Sequence, residues 1–456
     1  MIKELYPFQW QGVKFLIDRG NPYRVNDYPK PRAMLCDEPG LGKTIQACTA
    51  ARYGYTALID EVDELGNINK VEKAFCHYPL VMCPRVLVPM WQTELENAGV
   101  MRYVVVYYEQ LLQPQYFTWL LAGAEKKVFT VFIADEAHLL KEPKTQRVKR
   151  VKEIIQFINV RWLLTGTPVV NRLTDLLSLL ELLNLVQPLF TNKTNFIKDH
   201  AFNPVTRRND GQRNIDVLNN KMRPYLICRK TEEVLPDLPP LRYTTEVVDT
   251  GLTDENYWIA KRPHENEHQY ITRIQEGVCM EKCAIAIDWI SVWLEGSAPD
   301  KKIVIFAHNI AVQDKILEFF KQSHKAAAVK AAYSTEKRVA EIKRFQEDSE
   351  CRIIVLSLLC GGVGITLHAS DTVLFVQFPW TPALYHQACK RIHRIGQTSA
   401  MCWVINLVLK GTVDYRQVEV LCQKQELVDA FTETDMAKIL FDRDKMGIQH
   451  EAEVAL

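Results

Sequence analysis

Ala33-Met34-Leu35-Cys36-Asp37-Glu38-Pro39-Gly40-Leu41-Gly42-Lys43-Thr44 is the stretch that decides the fold. An apolar run leads into a tight glycine turn, and the helix-favouring segment from Ile45 to Ala51 follows. Strand, turn, helix is the context that a phosphate-binding loop requires. Glycine lets the backbone curl so that several N–H groups point at phosphate oxygens, and the helix N-terminus adds a favourable dipole. Lys43 would reach the β- and γ-phosphates, and the Thr44 hydroxyl would ligate Mg²⁺. Asp37 stands where the strict pattern has glycine. Gly-Lys-Thr alone is a weak sign, so the weight falls on what the rest of the chain adds.

Moving C-terminally, Leu80 to Pro84 and Val104 to Tyr108 are short apolar runs of the kind that make buried parallel strands. Val128 to Ala134 is another, and it delivers Asp135-Glu136-Ala137-His138 at its C-terminal end, the edge where doubly wound sheets place ligands. Adjacent carboxylates beside a phosphate loop suit Mg²⁺ holding by Asp135 and activation of an attacking water by Glu136. The plainer alternative is an acidic turn. Trp162 to Pro168 is a fourth run, followed by Asn171 and a leucine-rich helix from Leu173 to Leu185. Repeated strand-then-helix alternation predicts an α/β fold with a parallel sheet covered by helices on both faces. Upstream, Leu5 to Val13 open a short amphipathic helix. Its Gln9 can read adenine through its amide, although a surface glutamine fits the same residue. Residues 52–78 read as an irregular insertion.

From about 186 to 300 the alternation breaks. Residues 203–242 are locally basic, with Arg207, Arg208, Arg213, Lys221, Arg223, Arg229, Lys230 and Arg242, and suit either a solvated insertion or a DNA-facing surface. Pro236 to Pro240 reads as an extended linker and 267–295 as a helix. A second alternating unit begins at Lys302 to His308, continues through Arg352 to Ser357, a flexible turn from Gly361 to Thr366, and Thr372 to Phe378, and ends in a helix carrying Gln387 to Gln397. Arg391 and Arg394 are three apart and would share a helical face, able to stabilise the charge of a triphosphate. The expected division is 1–185, a first lobe; 186–300, a helical insertion and linker; 301–425, a second lobe; and 426–456, a helical tail.

Bulk properties exclude little. The 456 residues carry 56 Lys+Arg against 55 Asp+Glu, so a nucleic-acid footprint must be local rather than global. Twelve scattered cysteines suit reduced thiols, and Cys279 with Cys283 lacks a second ligand pair for zinc. No stretch approaches the roughly 20 apolar residues of a membrane span and no signal peptide is seen, so no membrane partner is expected; with the reduced thiols, the expected compartment is cytoplasm, or nucleus in a eukaryote.

The set taken together resembles superfamily 2 helicase-type motors, specifically the Swi/Snf family of DNA translocases. The resemblance rests on Gln9, Asp37 to Gln46, Cys83-Pro84 with Trp91, Asp135 to His138 with Lys141 and Pro143-Lys144, Leu164 to Pro168 with Asn171, Gly361 to Gly364, Trp380 with Pro382, and the block Gln387 to Gln397, and it extends to the segment from Met222 to Pro240. Phe306 to Asn309 and Phe375 to Trp380 look nearest the annealing-helicase, fork-remodelling branch. Glu142 and Ala332-Tyr333-Ser334 depart from the family pattern near expected DNA positions. The compact length is that of a prokaryotic or viral member.

The resemblance implies two RecA-like lobes with a helical insertion. It implies an ATP- and Mg²⁺-dependent motor that moves on duplex or forked DNA, acting as a monomer with protein partners unspecified. Gln9 would contact adenine; Asp37, Pro39, Gly40, Leu41, Gly42, Lys43, Thr44 and, from the second lobe, Gly364 would line the nucleotide. Thr44 and Asp135 would hold the metal; Lys43, Asp135, Glu136, Arg391 and Arg394 would carry the chemistry. Thr165 and Thr167 would couple nucleotide state to DNA grip. Pro84, Arg85, Lys141, Asn171, His308, Ser357 and Trp380 would track the DNA backbone, giving salt-sensitive binding without sequence readout. A single-strand or RNA helicase of the same fold, and a motor subunit of a restriction or defence complex, are the competing expectations.

Overall fold

Apolar strands are best covered on both faces, and most of the short runs read above are so covered. The computed structural model describes residues 4–20, 32–62, 68–166, 172–209, 211, 213–251, 262–264, 266–357, 365–414, 417, 418 and 421. The chain divides into two units, Met1–Leu235 and Pro236–Leu456.

In the first unit β1 (Arg32–Leu35), β4 (Pro79–Cys83), β5 (Val104–Tyr107), β6 (Val131–Asp135), β7 (Val160–Leu164) and β8 (Leu226–Ile227) form one sheet in the order β5-β4-β6-β7-β1-β8. Every pairing in it is parallel. β1, β4, β6 and β7 are buried along their whole length. The register sets Asp135 beside Leu164 and Leu164 beside Leu35, so three neighbouring strands end level. At the opposite edge Arg32 and Arg161 are buried and donate to the carbonyls of Leu183 (2.7 Å) and Leu182 (2.6 Å), supplying partners for the C-terminal end of the helix Leu173–Leu182. Burial pushes Arg32 down to about 9.

β2 (Tyr55–Val62) and β3 (Ile68–Phe75) form a separate antiparallel pair where an irregular insertion was expected. A two-stranded ribbon outside the main sheet needs no continuous apolar run, which is why its mixed composition concealed it.

In the second unit β9 (Leu241–Val248), β10 (Ile303–Phe306), β11 (Ala327–Val329), β12 (Ile353–Leu356), β13 (Thr372–Phe375) and β14 (Cys402–Leu409) make another all-parallel sheet, ordered β11-β12-β10-β13-β14-β9. Alternate side chains of β10 and β12 go to opposite faces: Val304, Phe306, Ile354 and Leu356 join one core, Ile303, Ile305, Ile353 and Val355 the other. That other core is closed by the helix Glu267–Gly296 through Cys283, Ala286 and Ile290.

The stretch 186–300, expected as one block between lobes, is instead divided. Its first part adds β8 to the first sheet, and its second part adds β9 and the helix Glu267–Gly296 to the second unit. The expected helix over Gln387 to Gln397 is also shorter: it spans Pro382–Cys389 and gives way to turns. Residues 426–456 lie outside the described residues. No helix among the described residues is long and apolar enough to cross a membrane.

Candidate nucleotide site

The loop after β1 has the geometry that its glycines require. Gly40 (φ 97°) and Gly42 (φ 77°) take left-handed conformations that other residues adopt at a cost. A Cβ on Gly42 would lie 2.5 Å from the Gln9 amide nitrogen. The helix Lys43–Tyr53 starts immediately after, with Thr44 in its first turn. The Lys43 ammonium folds back over the loop and donates to the carbonyls of Asp37 (2.6 Å) and Glu38 (3.3 Å). Gln9 is buried rather than on the surface; its amide donates to the Leu41 carbonyl (3.2 Å) and accepts from the Tyr6 N–H (3.0 Å).

The side chain of Asp37 has a partner from far along the chain. Its fully buried carboxylate is gripped by Arg229, whose Nε donates to Oδ1 at 2.9 Å and Nη2 to Oδ2 at 2.5 Å. Gln46 donates to the same carboxylate at 3.2 Å and accepts from Arg229 Nη2 at 2.9 Å. The Asp37 side chain thus serves the loop's own architecture, and what it presents to Lys43 is its carbonyl. Glu38 is held in turn by Thr231, whose N–H (3.0 Å) and hydroxyl (2.6 Å) both donate to Oε2.

Two strands away, Asp135 ends β6. Trp91 Nε1 donates to its Oδ2 at 2.8 Å, the Glu136 N–H to its Oδ1 at 2.9 Å, and the Tyr108 hydroxyl to its carbonyl at 2.6 Å. Burial, with the neighbouring Glu136 charge, raises the Asp135 carboxyl to about 6 against the pull of Trp91 and Lys43. A buried carboxylate so raised is one that a cation would stabilise. Glu136 has φ 50°, a left-handed conformation that a side chain adopts only where its surroundings compel it. His138 Nδ1 lies 3.3 Å from Glu136 Oε2 and 3.1 Å from Thr165 Oγ1. Burial, followed by the Lys141 charge, lowers His138 to about 4, so it is neutral at pH 7 with Nδ1 within reach of both Glu136 and Thr165. The Thr165 N–H donates to the Leu35 carbonyl at 3.1 Å, which joins the acid turn to the phosphate loop's strand.

In the second unit Arg391 and Arg394 lie in turns, not on one helical face. They nevertheless converge: Arg391 Nη1 donates to the Ile365 carbonyl (3.1 Å) and Arg394 Nη1 to the Thr366 hydroxyl (3.0 Å). Burial pushes Arg394 down to about 10. Gly364 and Asn171 lie outside the described residues, as does Thr167.

Of the residues expected to meet DNA, the described ones follow strand ends in the two sheets. Pro84 follows β4, Arg85 is exposed with its guanidinium 5.3 Å over the Tyr107 ring, and Lys141 follows the acid turn. His308, Ser357 and Trp380 follow β10, β12 and β13, three neighbouring strands. His308 and Trp380 are exposed, whereas Ser357 is buried. Gln377 Oε1 accepts from the N–H groups of His308 and Asn309, both at 2.6 Å.

Sequence reading missed Arg229, Gln46, Tyr108 and Gln377 as site-building residues. Arg229 is among the basic residues of a segment read as solvated or DNA-facing, and its burial against Asp37 is the correction. The signal available was Asp37 itself, a carboxylate where the phosphate-loop pattern has glycine.

Fold and site define a two-unit α/β protein of helicase type, with a phosphate loop and acid pair on the first sheet and an arginine pair on the second. Residues 104–277 match the SNF2-related domain, and residues 282–396 match the helicase conserved C-terminal domain. The chain thus carries an SNF2-related domain and, after it, a helicase C-terminal domain. It is 27% identical over 485 residues to the SWI/SNF-related matrix-associated actin-dependent regulator of chromatin subfamily A-like protein 1 homolog of Caenorhabditis elegans, covering 97% of this chain and 65% of that protein. It is 26% identical over 477 residues to the DNA annealing helicase and endonuclease ZRANB3 of Mus musculus, covering 99% of this chain and 43% of that protein. The chain therefore spans less than two thirds of the length of these relatives. A solved structure described as the Sulfolobus solfataricus SWI2/SNF2 ATPase core in complex with dsDNA shares 20% identity over 98% of this chain and 97% of that one, with a TM-score of 0.40. The fold assignment rests on the two sheets themselves.

Proposed function

We propose that this chain is a DNA-dependent ATPase that uses ATP hydrolysis to move along duplex or forked DNA. The observation that supports this reading most is the level ending of β1, β7 and β6, which sets Lys43, Thr165 and the Asp135–Glu136 pair along one sheet edge. Backbone N–H groups of the loop and the Lys43 ammonium would receive the phosphates, with Lys43 exchanging two carbonyl partners for phosphate oxygens. Thr44 and Asp135 are the proposed Mg²⁺ residues. No group of three or more His, Cys, Asp or Glu among the described residues could hold a metal alone, and Mg²⁺ characteristically takes one or two protein ligands with waters and substrate phosphates. Bound there, the ion would neutralise phosphate charge.

Glu136, oriented through His138, is assigned the attacking water, whose proton its carboxylate would accept. Arg391 and Arg394 are assigned the charge that develops on the transferred phosphoryl group. Pro84, Arg85, Lys141 and Asn171 on the first unit, and His308, Ser357 and Trp380 on the second, are assigned to the DNA backbone. Names of relatives that specify annealing helicases support forked or reannealing duplex as the substrate class.

The test is steady-state ATP hydrolysis by the wild-type chain and Glu136→Gln, with and without duplex DNA. The reading expects the variant to bind ATP and fail to turn it over, and wild-type turnover to rise with duplex. Stimulation by single strands or RNA alone would move the protein to the helicase alternatives.

A further inference from the structure

Four parts of the first unit meet at one guanidinium. Arg229 is buried, 192 residues from Asp37 in sequence, and forms the two-pronged pair with that carboxylate at 2.9 and 2.5 Å. Its Nη2 also donates to Gln46 Oε1 at 2.9 Å, on the helix that follows the loop. Its Nη1 donates to the Phe8 carbonyl, and its Cζ lies 5.3 Å from the Phe8 ring centroid. Phe8 adjoins Gln9, the residue assigned to adenine, and Gln9 itself donates to Leu41 of the loop. Backbone bonds run alongside: Cys36 N–H to the Ile227 carbonyl (2.7 Å) and Glu38 N–H to the Arg229 carbonyl (3.1 Å). Gly12 completes the packing, since a Cβ there would lie 1.8 Å from Gln46 Oε1 and 2.8 Å from Arg229 Nη2.

We propose that Arg229 is the positioning residue that fixes the base-reading segment around Gln9 relative to the phosphate loop, so that it sets both nucleotide affinity and the preference for adenine. The inference rests on the ATP reading of the site. A planar fork is needed because three acceptors must be met at once: the Asp37 carboxylate, Gln46 Oε1 and the Phe8 carbonyl. A lysine ammonium at this position keeps the charge and loses the fixed geometry. Without the fork, Asp37 and Phe8 are no longer held to one rigid group. The loop and the Gln9 helix can then shift separately, and the edge that distinguishes adenine from guanine loses its registry with the phosphates.

The experiment compares the full chain with Arg229→Lys and Gly12→Ala. For each, kcat and KM are measured with ATP and GTP, ADP binding is followed by fluorescence titration, and folding is checked by circular dichroism and thermal melting. Arg229→Lys is expected to raise KM for ATP about tenfold or more, the scale of losing charge-assisted hydrogen bonds, while kcat at saturation changes far less. The ATP-to-GTP ratio of kcat/KM should fall toward one. A role in stability alone would lower Tm and leave that ratio where it is.

Gly12→Ala disturbs the same cluster from the neighbouring helix and should reproduce both effects, so it decides the matter if Arg229→Lys does not fold. Folded variants with ATP KM within twofold of wild type and an unchanged ATP-to-GTP ratio would overturn the proposal. A wild-type chain that binds neither ATP nor ADP would sink the ATP reading, and the inference with it.

Discussion

Among the described residues each unit holds a deeply buried ion pair, and the two pairs do different work. In the first, Asp37 and Arg229 sit under the phosphate loop, tied to Gln46 and Phe8. In the second, Lys282 of the helix Glu267–Gly296 lies fully buried, 2.7 Å from Asp414 beyond the end of β14 and 5.0 Å from the centre of the Phe378 ring. Asp414 also accepts from the Leu409 N–H at 3.2 Å, so this pair pins a helix to a strand end. The charges are alike and equally hidden. What differs is the neighbour: one pair shapes a loop built to receive a ligand, the other closes a core. Burial of a charge pair is therefore not by itself a sign of function; its position relative to the sheet's C-terminal edge is.

The largest predicted effect tests the role assigned to the arginine pair of the second unit. Arg394→Ala should slow ATP hydrolysis by something on the order of 10³–10⁵, as removal of an arginine finger does. A loss below about tenfold would leave the second sheet's cations without the role given to them. Glu136→Gln should cost roughly 10²–10⁴ in kcat, the usual range for a positioned base, while nucleotide affinity stays near wild type. Unchanged turnover would remove Glu136 from its assignment.

Separating the two ion pairs comes next. Asp414→Ala leaves Lys282 buried and unpaired, and should destabilise the chain by about 3–5 kcal/mol, measured by urea unfolding. Its KM for ATP should remain within about twofold of wild type if folded protein is compared. A large rise in KM would erase the distinction drawn between the pairs.

The smallest effects are in pH dependence. Asp135 is raised toward 6 from an ordinary 3.8, so the folded state holds its proton longer than the unfolded one and stability falls as pH rises through about 4–6. His138 is lowered toward 4 from 6.5, so the unfolded state binds the extra proton and stability rises over nearly the same window. The two slopes oppose each other. Asp135→Asn should therefore gain stability as pH rises from 4 to 6.5, and His138→Gln should lose it from 4 to 6, in urea midpoints taken at half-unit steps. Identical slopes in both variants would contradict the assigned environments.

Much of the fold is legible in the sequence, for a physical reason. Strands buried on both faces announce themselves as apolar runs, as Leu80 to Cys83 and Ile303 to Phe306 do. Residues that must end such strands, Asp135 among them, are then located by counting. Short-range geometry was legible as well: Gly40, Gly42 and Lys43 stand within one turn. Contacts between distant segments were not. Arg229 reaches Asp37 across 192 residues, and nothing local distinguishes it from its basic neighbours.

The turns carrying Arg391 and Arg394 escaped for a related reason. The spacing suits a helix, yet His393 bonds the Pro239 carbonyl at 2.7 Å while Arg391 and Arg394 bond Ile365 and Thr366. Those bonds to distant segments outweigh the local preference. β9 hid because it is a partly exposed edge strand of mixed polarity, with no continuous apolar run, and β8 because it is two residues long.

The most direct test of the central claim is the steady-state ATPase rate of the wild-type chain measured with no polymer, single-stranded DNA, duplex DNA, forked DNA and duplex RNA. A DNA translocase predicts a low rate alone and strong stimulation by duplex or forked DNA, weakening as salt is raised because the contacts are to phosphates. A rate equal across all five, or raised only by RNA or single strands, would contradict it.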